Sequence, residues 1–175
     1  VSSRVDEQES HCLRVPSFHY GSGGLTSFES SVVQELVVRL VVNGQQVDTL
    51  TCSPWNVEEL TYGRLYFNGI IRQANDVTDM RIDVDAGLVD VLISDTMGAA
   101  SDSLSGERSV LSYVTPRWII GNMAQFEANS GLFRRTGGMH GAAIADACGF
   151  LARFDDVGRH NAMDKLVGWC LKNRV

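Results

Sequence analysis

The chain has 175 residues, of which 44% are hydrophobic and 21% are charged. This composition is typical of one globular domain and excludes an intrinsically disordered or collagen-like chain. No apolar run reaches the roughly 18 residues that span a bilayer, because Arg39 interrupts the best candidate, and residues 1–10 are polar and acidic, which predicts no signal peptide. The formal net charge of −6 argues against a nucleic-acid partner, since binding to its backbone depends on Lys and Arg.

The basic residues concentrate in the C-terminal part of the sequence. Residues 134–175 contain seven basic and four acidic residues, whereas residues 1–133 contain eight basic and seventeen acidic residues. A local basic zone on an acidic protein favours a small anionic ligand over a long polyanion. Chance fluctuation of surface charge explains this count equally well.

The first part of the chain predicts an arm followed by a hairpin. Residues 1–30 mix serine, glycine and charged residues, so we expect an irregular N-terminal arm before a single domain over residues 31–175. Residues 32–42 are rich in β-branched side chains, and the Asn43-Gly44 pair supplies the positive φ angles of a tight turn. The return strand is predicted over residues 45–52.

A helix is predicted directly after this hairpin. Ser53 can cap the free N–H groups of a helix, and Pro54 has no N–H to lose in the first turn. We expect the helix to run to about Asn68 and to stop at Gly69.

The middle of the chain predicts a second hairpin and a second helix. The strands alternate on either side of a turn at residues 85–87, and a polar loop follows over residues 94–112. Thr115-Pro116 opens a helix that ends before Gly131, with an apolar face formed by Ile119, Met123 and Phe126.

The last elements are a third hairpin and a final helix. Strands over residues 139–145 and 150–154 are predicted to pair, and Asn161 is predicted to cap the last helix with Asp164 at its N3 position. Hairpins interleaved with three helices predict an α/β or α+β layered domain.

Four cysteines lie far apart in the sequence, at Cys12, Cys52, Cys148 and Cys170. They predict free thiols in a reducing cytoplasm, not a disulfide framework. Since Cys or His pairs at zinc-ligand spacing do not occur, we expect no bound zinc. Cys148 precedes a glycine in a hairpin turn and is predicted to be the most exposed thiol, whereas Cys170 lies on an apolar helix face and is predicted to be core.

Two segments contain residues that folding alone explains poorly. The first is Thr136-Gly137-Gly138-Met139-His140, where paired glycines let a ligand approach the backbone between a hydroxyl and an imidazole. The second is residues 155–165, where Gly158-Arg159-His160 precedes a helix whose free N–H groups attract anions. A plain turn with a surface histidine explains the first equally well. Helix capping, with Arg159 paired to Asp156, is the alternative for the second.

These segments together resemble the signature of the FdhD family, the formate dehydrogenase accessory or sulfur carrier proteins. The matching residues are Thr136-Gly137-Gly138-x-His140-x-Ala142-Ala143 and Asp156-Val157-Gly158-Arg159-His160-Asn161-Ala162-x-Asp164-Lys165. The resemblance extends upstream through residues 42–44 and 52–71 and covers most of residues 32–175.

The resemblance implies a fold and a function. The implied fold is similar to that of the cytidine deaminases, with a mixed sheet between helices. The implied activity is that of a sulfurtransferase or sulfur carrier, which takes sulfur as a persulfide from a cysteine desulfurase. It passes that sulfur to the molybdenum bis(molybdopterin guanine dinucleotide) cofactor of formate dehydrogenase. Cysteine desulfurase and formate dehydrogenase are therefore the expected partners, a homodimer is left open, and no metal of the protein's own is expected.

The sequence departs from the family pattern in two places. The family carries a Cys-x-x-Cys in a loop that corresponds to residues 94–113, which contain no cysteine here, and it continues beyond Val175 into a glycine-rich, nucleotide-contacting region. A degenerate member is one interpretation. We expect instead that this sequence omits residues of the loop and the C-terminal region.

We predict that residues 136–140 and 156–165 form one anion-binding site for the phosphate or guanine-nucleotide part of the cofactor. The alternative function is a non-catalytic chaperone that binds the cofactor for formate dehydrogenase. A purely structural domain would leave Gly158-Arg159-His160 unexplained. The predicted binding residues are Thr136, Gly137, Gly138, His140, Asp156, Gly158, Arg159, His160, Asn161, Asp164 and Lys165.

Overall fold

A computed structural model of the protein describes residues 11–94 and 114–175. The predicted loop over residues 94–112 lies outside this part of the chain except for Ser94. The order of the elements is β1 (Cys12–Gly21), β2 (Gly24–Val33), β3 (Leu36–Val42), β4 (Gln45–Cys52), α1 (Val57–Phe67), a 3₁₀ turn (Ala74–Asp76), β5 (Val77–Asp83), β6 (Leu88–Ile93), α2 (Pro116–Ala128), α3 (Gly131–Thr136), β7 (His140–Asp146), β8 (Gly149–Asp156) and α4 (Arg159–Asn173).

The main sheet has four strands in the order β4-β3-β6-β5. Strands β3 and β6 are parallel, and the other neighbours are antiparallel. The β3–β4 hairpin turns at Asn43 and Gly44, whose φ angles are 48° and 80°, which confirms the predicted turn. Alternate residues of β3 are buried and pack with α1 in one core cluster that includes Val38, Leu40, Leu60 and Leu65. The mixed sheet confirms the predicted α/β class.

A second layer consists of the β7–β8 hairpin and α4, which share a small core of Ala142, Phe154, Ala162 and Leu166. This hairpin and the final helix were both predicted. Helix α4 also packs closely against α1. A Cβ on Gly63 would lie 1.9 Å from the carbonyl oxygen of Asp164, and one on Gly168 would lie 1.9 Å from that of Glu59. The two glycines therefore permit the close helix contact that joins the layers.

The structure corrects the sequence prediction at the N-terminal side. The stretch expected to be irregular forms, over residues 12–33, a β1–β2 ribbon with continuous antiparallel pairing. Ser53 does not cap α1, because its N–H donates to Asp156 Oδ2 at 3.1 Å and its Oγ accepts from the N–H of Val157 at 3.1 Å. Helix α1 begins after Asn56, whose φ is 55° and whose side chain makes no capping hydrogen bond.

The helices α2 and α3 give one agreement with the sequence prediction and one difference. Thr115 caps α2 as predicted, since its Oγ1 accepts from the N–H of Trp118 at 3.1 Å. The short helix α3 was not predicted, because its six residues carry no repeating apolar pattern. Over residues 11–94 and 114–175, no helix has the length and apolar character needed to cross a membrane.

Candidate functional site

The β7–β8 hairpin brings the two predicted segments to one end of the second layer. His140, the first residue of β7, is the ladder partner of Asp156, the last residue of β8. Helix α4 starts three residues after Asp156, and α3 ends four residues before His140. The segment that follows α3 and the segment that opens α4 therefore meet at the same edge.

The first segment is a helix end followed by exposed backbone. Gly137 is the C-cap of α3 with a φ of 69°, and its N–H donates to the carbonyl oxygen of Phe133 at 2.7 Å. The hydroxyl of Thr136 donates to the carbonyl oxygen of Leu132 at 2.8 Å. A Cβ on Gly137 would meet no atom within 4 Å. Glycine is therefore favoured here by the left-handed backbone conformation and not by a tight packing contact. Gly138 and His140 are exposed.

The second segment opens α4 with a free helix N-terminus. The N-cap is Gly158, which has no side chain that could accept a hydrogen bond from the first N–H groups of the helix. Its carbonyl oxygen accepts from the N–H of Ala162 at 3.0 Å. Arg159 and His160 are the first two helical residues, and both are exposed. Neither side chain makes a hydrogen bond or an ion pair with the residues that the structure describes. Two basic groups thus stand beside N–H groups that carry the positive end of the helix dipole.

Beneath this surface lies a fully buried ion pair. The ammonium of Lys165 is 2.6 Å from Asp156 Oδ2, and neither side chain has exposed surface. Asp156 Oδ1 accepts from the N–H of Gly158 at 2.8 Å and from the amide of Asn161 at 3.0 Å. Together with the N–H of Ser53 at Oδ2, four donors satisfy this carboxylate. The alternative interpretation, in which Arg159 pairs with Asp156, is wrong, because Lys165 is the ionic partner of Asp156.

The side chain of Lys165 lies beside the ring of Trp55. Its ammonium lies 5.4 Å from the centre of the Trp55 ring, and the Trp55 indole N–H donates to the carbonyl oxygen of Asp155 at 3.0 Å. Burial lowers the pKa of Lys165, and the adjacent Asp156 carboxylate opposes this shift. The ammonium is therefore engaged inside the protein and has no contact with solvent.

Asn161 is not the helix cap that the sequence predicted. It is the third residue of α4, and its amide nitrogen donates to the carbonyl oxygen of Thr51 at 2.7 Å as well as to Asp156. Its amide oxygen accepts from Arg64 Nη2 at 3.3 Å. Its hydrogen bonds thus join α4 to strand β4 and helix α1. Local sequence rules do not predict these contacts, because the partners are about 100 residues away in the chain.

Asp164 faces the same contact between α1 and α4. Its Oδ2 lies 3.0 Å from Arg64 Nη2, and the same guanidinium is 3.7 Å from Asp48 Oδ2 through Nε. Burial raises the pKa of Asp164, and the Arg64 guanidinium offsets only part of that effect. Asp164 is therefore a supporting residue below the surface and not the N3 partner of a cap.

The four thiols differ in access. Cys52 is buried, and desolvation together with the charge of Asp156 raises its pKa to about 12. Burial also raises the pKa of Cys170, which is half-buried. Cys12 is half-buried and Cys148 is exposed in the β7–β8 turn, as predicted for Cys148. Residues 11–94 and 114–175 contain no cluster of three or more His, Cys, Asp or Glu side chains that could hold a metal ion.

A family model described as the FdhD/NarQ family matches residues 33–112 and 94–175. The chain belongs to the FdhD/NarQ family. It is 31% identical over 180 residues to the sulfur carrier protein FdhD of Staphylococcus haemolyticus (strain JCSC1435), with coverage of 89% of this chain and 68% of that protein. It is 30% identical over 186 residues to the sulfur carrier protein FdhD of Staphylococcus aureus (strain Newman), with coverage of 93% and 70%.

A solved structure also resembles this FdhD/NarQ protein. It is described as that of a formate dehydrogenase accessory protein from Desulfotalea psychrophila. The TM-score is 0.75 at 21% identity, and the match covers 94% of this chain and 68% of the other. At this identity the likeness concerns the fold, and it agrees with the mixed sheet and flanking helices found here.

The predicted site residues of this FdhD/NarQ chain fall into two groups. Those at or near the surface are Thr136, Gly137, Gly138, His140, Gly158, Arg159 and His160, and those buried below them are Asp156, Asn161, Asp164 and Lys165. No pattern in the sequence predicted the partners of the buried group, which are Thr51, Ser53, Trp55 and Arg64. The signal that could have indicated one common helix face is the spacing of Asn161, Lys165 and Gly168 by four and three residues.

Proposed function

We propose that this protein is an accessory sulfur carrier for formate dehydrogenase. It takes sulfur from a cysteine desulfurase and passes it to the molybdenum bis(molybdopterin guanine dinucleotide) cofactor, which is its substrate. The relatives named sulfur carrier protein FdhD support the sulfur chemistry, and the description of the solved structure supports the link to formate dehydrogenase. The observation that carries the proposal is the joining of both family segments at the start of α4.

The start of α4 is suited to a phosphorylated ligand. Arg159 and His160 offer N–H donors, and the first backbone N–H groups of α4 point the same way as the positive end of its dipole. Gly137 and Gly138 present backbone without side chains on the adjacent segment. We assign the phosphate-binding role to these surface residues. The buried ion pair of Asp156 and Lys165 holds the start of α4 in place against β4.

The sulfur-carrying step needs a thiol that two partners can reach. We assign it to Cys148, which is exposed in the β7–β8 turn. Its thiolate would attack the outer sulfur of the desulfurase persulfide, forming Cys148–S–SH and releasing the desulfurase cysteine as a thiolate. Since β7 extends for seven residues from His140, this turn lies roughly 20 Å from the start of α4. Cys148 and the proposed phosphate site are thus at opposite ends of one hairpin.

A second candidate function is a cofactor chaperone without sulfur chemistry. It is favoured by the absence of cysteine from residues 94–113 of the sequence and by the burial and high pKa of Cys52. Both candidates require the phosphate site. They differ only in whether a thiol of this chain carries sulfur.

The phosphate site is tested by titrating the protein with guanosine diphosphate in a calorimeter. We expect Arg159→Ala to lose roughly 1.5–3 kcal/mol of binding, because it removes a charge-assisted contact, while the melting temperature stays close to that of the unsubstituted protein. Arg117→Ala, at an exposed position in α2, is the control and should bind like the unsubstituted protein. If Arg159→Ala binds normally but melts much lower, Arg159 is a structural residue.

The sulfur step is tested by incubating the protein with a cysteine desulfurase and cysteine, followed by mass spectrometry of its peptides. We expect the peptide with Cys148 to gain ~32 Da, the mass of one sulfur atom transferred by thiol exchange, and Cys148→Ser to abolish this gain. If no thiol gains sulfur while the protein still binds guanosine diphosphate, the sulfur-carrier function is rejected and the chaperone function is supported.

A further inference from the structure

A cavity of about 420 Å³ lies at the base of the β1–β2 ribbon, apart from the residues assigned above. Its lining residues are Cys12, Arg14, Glu29, Ser30, Ser31 and Arg135. A volume of this size lies in the range of small-molecule pockets, which is about 300–1,000 Å³. The lining is polar and combines two guanidinium groups with hydroxyls, a thiol and one carboxylate.

The ribbon register explains why these side chains gather. Cys12 and Arg14 are two residues apart on β1 and therefore point to one face. Arg14 pairs with Ser31 in the ladder, and ladder partners share a face, so Ser31 and Glu29 lie on that face too. Helix α3 supplies Arg135 in its last turn.

Among the lining residues that the structure describes, the charge balance of the cavity is positive. Two arginines face one carboxylate, and the pair between Arg14 Nη1 and Glu29 Oε2 is 3.6 Å long with both side chains more than two-thirds exposed. An exposed pair of this kind contributes little to stability. An arriving dianion can therefore compete for Arg14 at low cost. The hydroxyl of Ser31 donates to no acceptor among the described residues.

We propose that this cavity binds a small ligand through a phosphate or pyrophosphate group. Arg14 and Arg135 hold the group with charge-assisted hydrogen bonds, for which the forked guanidinium is well shaped, and Ser31 adds a neutral donor. Cys12 forms the inner wall, because it packs against the cluster of Trp55, Leu132 and Met139. A bound phosphate group therefore shields the half-buried thiol of Cys12 from solvent.

The thiol of Cys12 provides a local measure of binding. We expect pyrophosphate to slow alkylation of Cys12 by iodoacetamide in a saturable way, with the rate at each cysteine followed by mass spectrometry of the labelled peptides. Cys148, which is exposed and does not line the cavity, should react at a rate that pyrophosphate does not change. Sodium chloride at matched ionic strength should protect neither thiol, which separates a bound anion from charge screening.

Two variants decide whether the arginines hold the anion. Arg14→Gln and Arg135→Gln should each weaken the protection by about tenfold or more, as expected for the loss of one charge-assisted contact. Arg159→Ala, which changes only the site at α4, should keep full protection of Cys12, so this site and the proposed function can fail independently. The proposal is overturned if pyrophosphate leaves the Cys12 rate unchanged, or if the double variant Arg14→Gln/Arg135→Gln is protected as well as the unsubstituted protein.

Discussion

The carboxylate of Asp156 and the ammonium of Lys165 lie 2.6 Å apart with no solvent-exposed surface on either side chain. Asp156 ends β8 and Lys165 lies in α4, and the same carboxylate accepts from the N–H of Ser53 after β4. Removing two charges from water is costly, so a buried pair of this kind need not add net stability over apolar residues. What it does is tie the start of α4 to the corner between β4 and α1.

The first prediction concerns the loss of one partner of this pair. Lys165→Met leaves Asp156 with a buried charge and only neutral donors, so we expect a loss of about 3–5 kcal/mol in the free energy of unfolding. Urea unfolding monitored by circular dichroism measures this loss. The double variant Asp156→Asn/Lys165→Met should lose less than the sum of the two single variants, since the second substitution removes the unpaired charge.

The matched control for this prediction is Lys172→Met in the same helix. Lys172 pairs with Glu58 at 2.9 Å and Glu59 at 3.3 Å near the surface, and we expect its loss to cost under about 1 kcal/mol. Equal losses at the two lysines would contradict the distinction between a buried and a surface pair.

The second prediction concerns the contact between α1 and α4. Alanine at Gly63 or Gly168 would place a Cβ 1.9 Å from a backbone carbonyl oxygen of the other helix, and backbone cannot rotate away as a side chain can. We expect each variant to lose about 3 kcal/mol of stability, the upper end for overpacking, in urea unfolding. Gly121→Ala in α2 meets no atom within 4 Å, so it should be neutral or gain up to about 1 kcal/mol from helix propensity.

The third prediction is a pH dependence that arises from Cys52. The pKa of Cys52 is raised from 9.0 to about 12 by burial and by Asp156, so the folded state holds the thiol proton more tightly than the unfolded state. The stabilising contribution is complete below pH 9 and is lost as the pH rises toward 12. Lys165, whose pKa is lowered by burial, acts in the opposite direction.

The comparison that isolates Cys52 is between the unsubstituted protein and Cys52→Ala. We expect thermal melts above pH 9 to show a steeper loss of stability in the unsubstituted protein, with the small cavity in the variant adding the same cost at every pH. In a parallel check, iodoacetamide at neutral pH should label Cys148 readily and Cys52 only after unfolding. Equal slopes in both proteins would show that Cys52 does not titrate with a raised pKa.

Local signals predicted the β3–β4, β5–β6 and β7–β8 hairpins, because the causes of these hairpins are local, but the β1–β2 ribbon was not predicted. Asn43-Gly44 needs only its own positive φ angles to form a turn, and the alternation in β3 reflects one buried face. The helix starts predicted at Ser53 and Asn161 failed for a different reason, whereas the start at Thr115 is confirmed. Ser53 and Asn161 are good capping residues by type, but each is engaged by residues about 100 positions away in the chain. Tertiary contacts of this kind override a local preference, and a short stretch of sequence does not reveal them.

The candidate site shows the same division. Arg159 and His160 were predicted to be available at a helix start, and they are exposed at residues one and two of α4. Lys165 was grouped with them by charge, but the helix repeat turns it inward, where it meets Asp156. A polar residue on the face that also carries Asn161 and Gly168 is therefore better interpreted as a packing residue than as a ligand contact.

The last prediction tests the role of Asn161 with a substitution that a helix cap would accept. Aspartate is as good a cap as asparagine, so Asn161→Asp would leave stability nearly unchanged if Asn161 capped α4. In this structure the amide donates to Thr51 and to Asp156, and a carboxylate can donate to neither and would face the charge of Asp156. We expect a loss of more than about 2 kcal/mol, from two lost hydrogen bonds and the repulsion, as measured by urea unfolding. Arg159→Ala, two residues earlier on the exposed side, is the control and should change stability by less than about 0.5 kcal/mol. If Asn161→Asp leaves stability unchanged, Asn161 acts as a helix cap and the prediction is wrong.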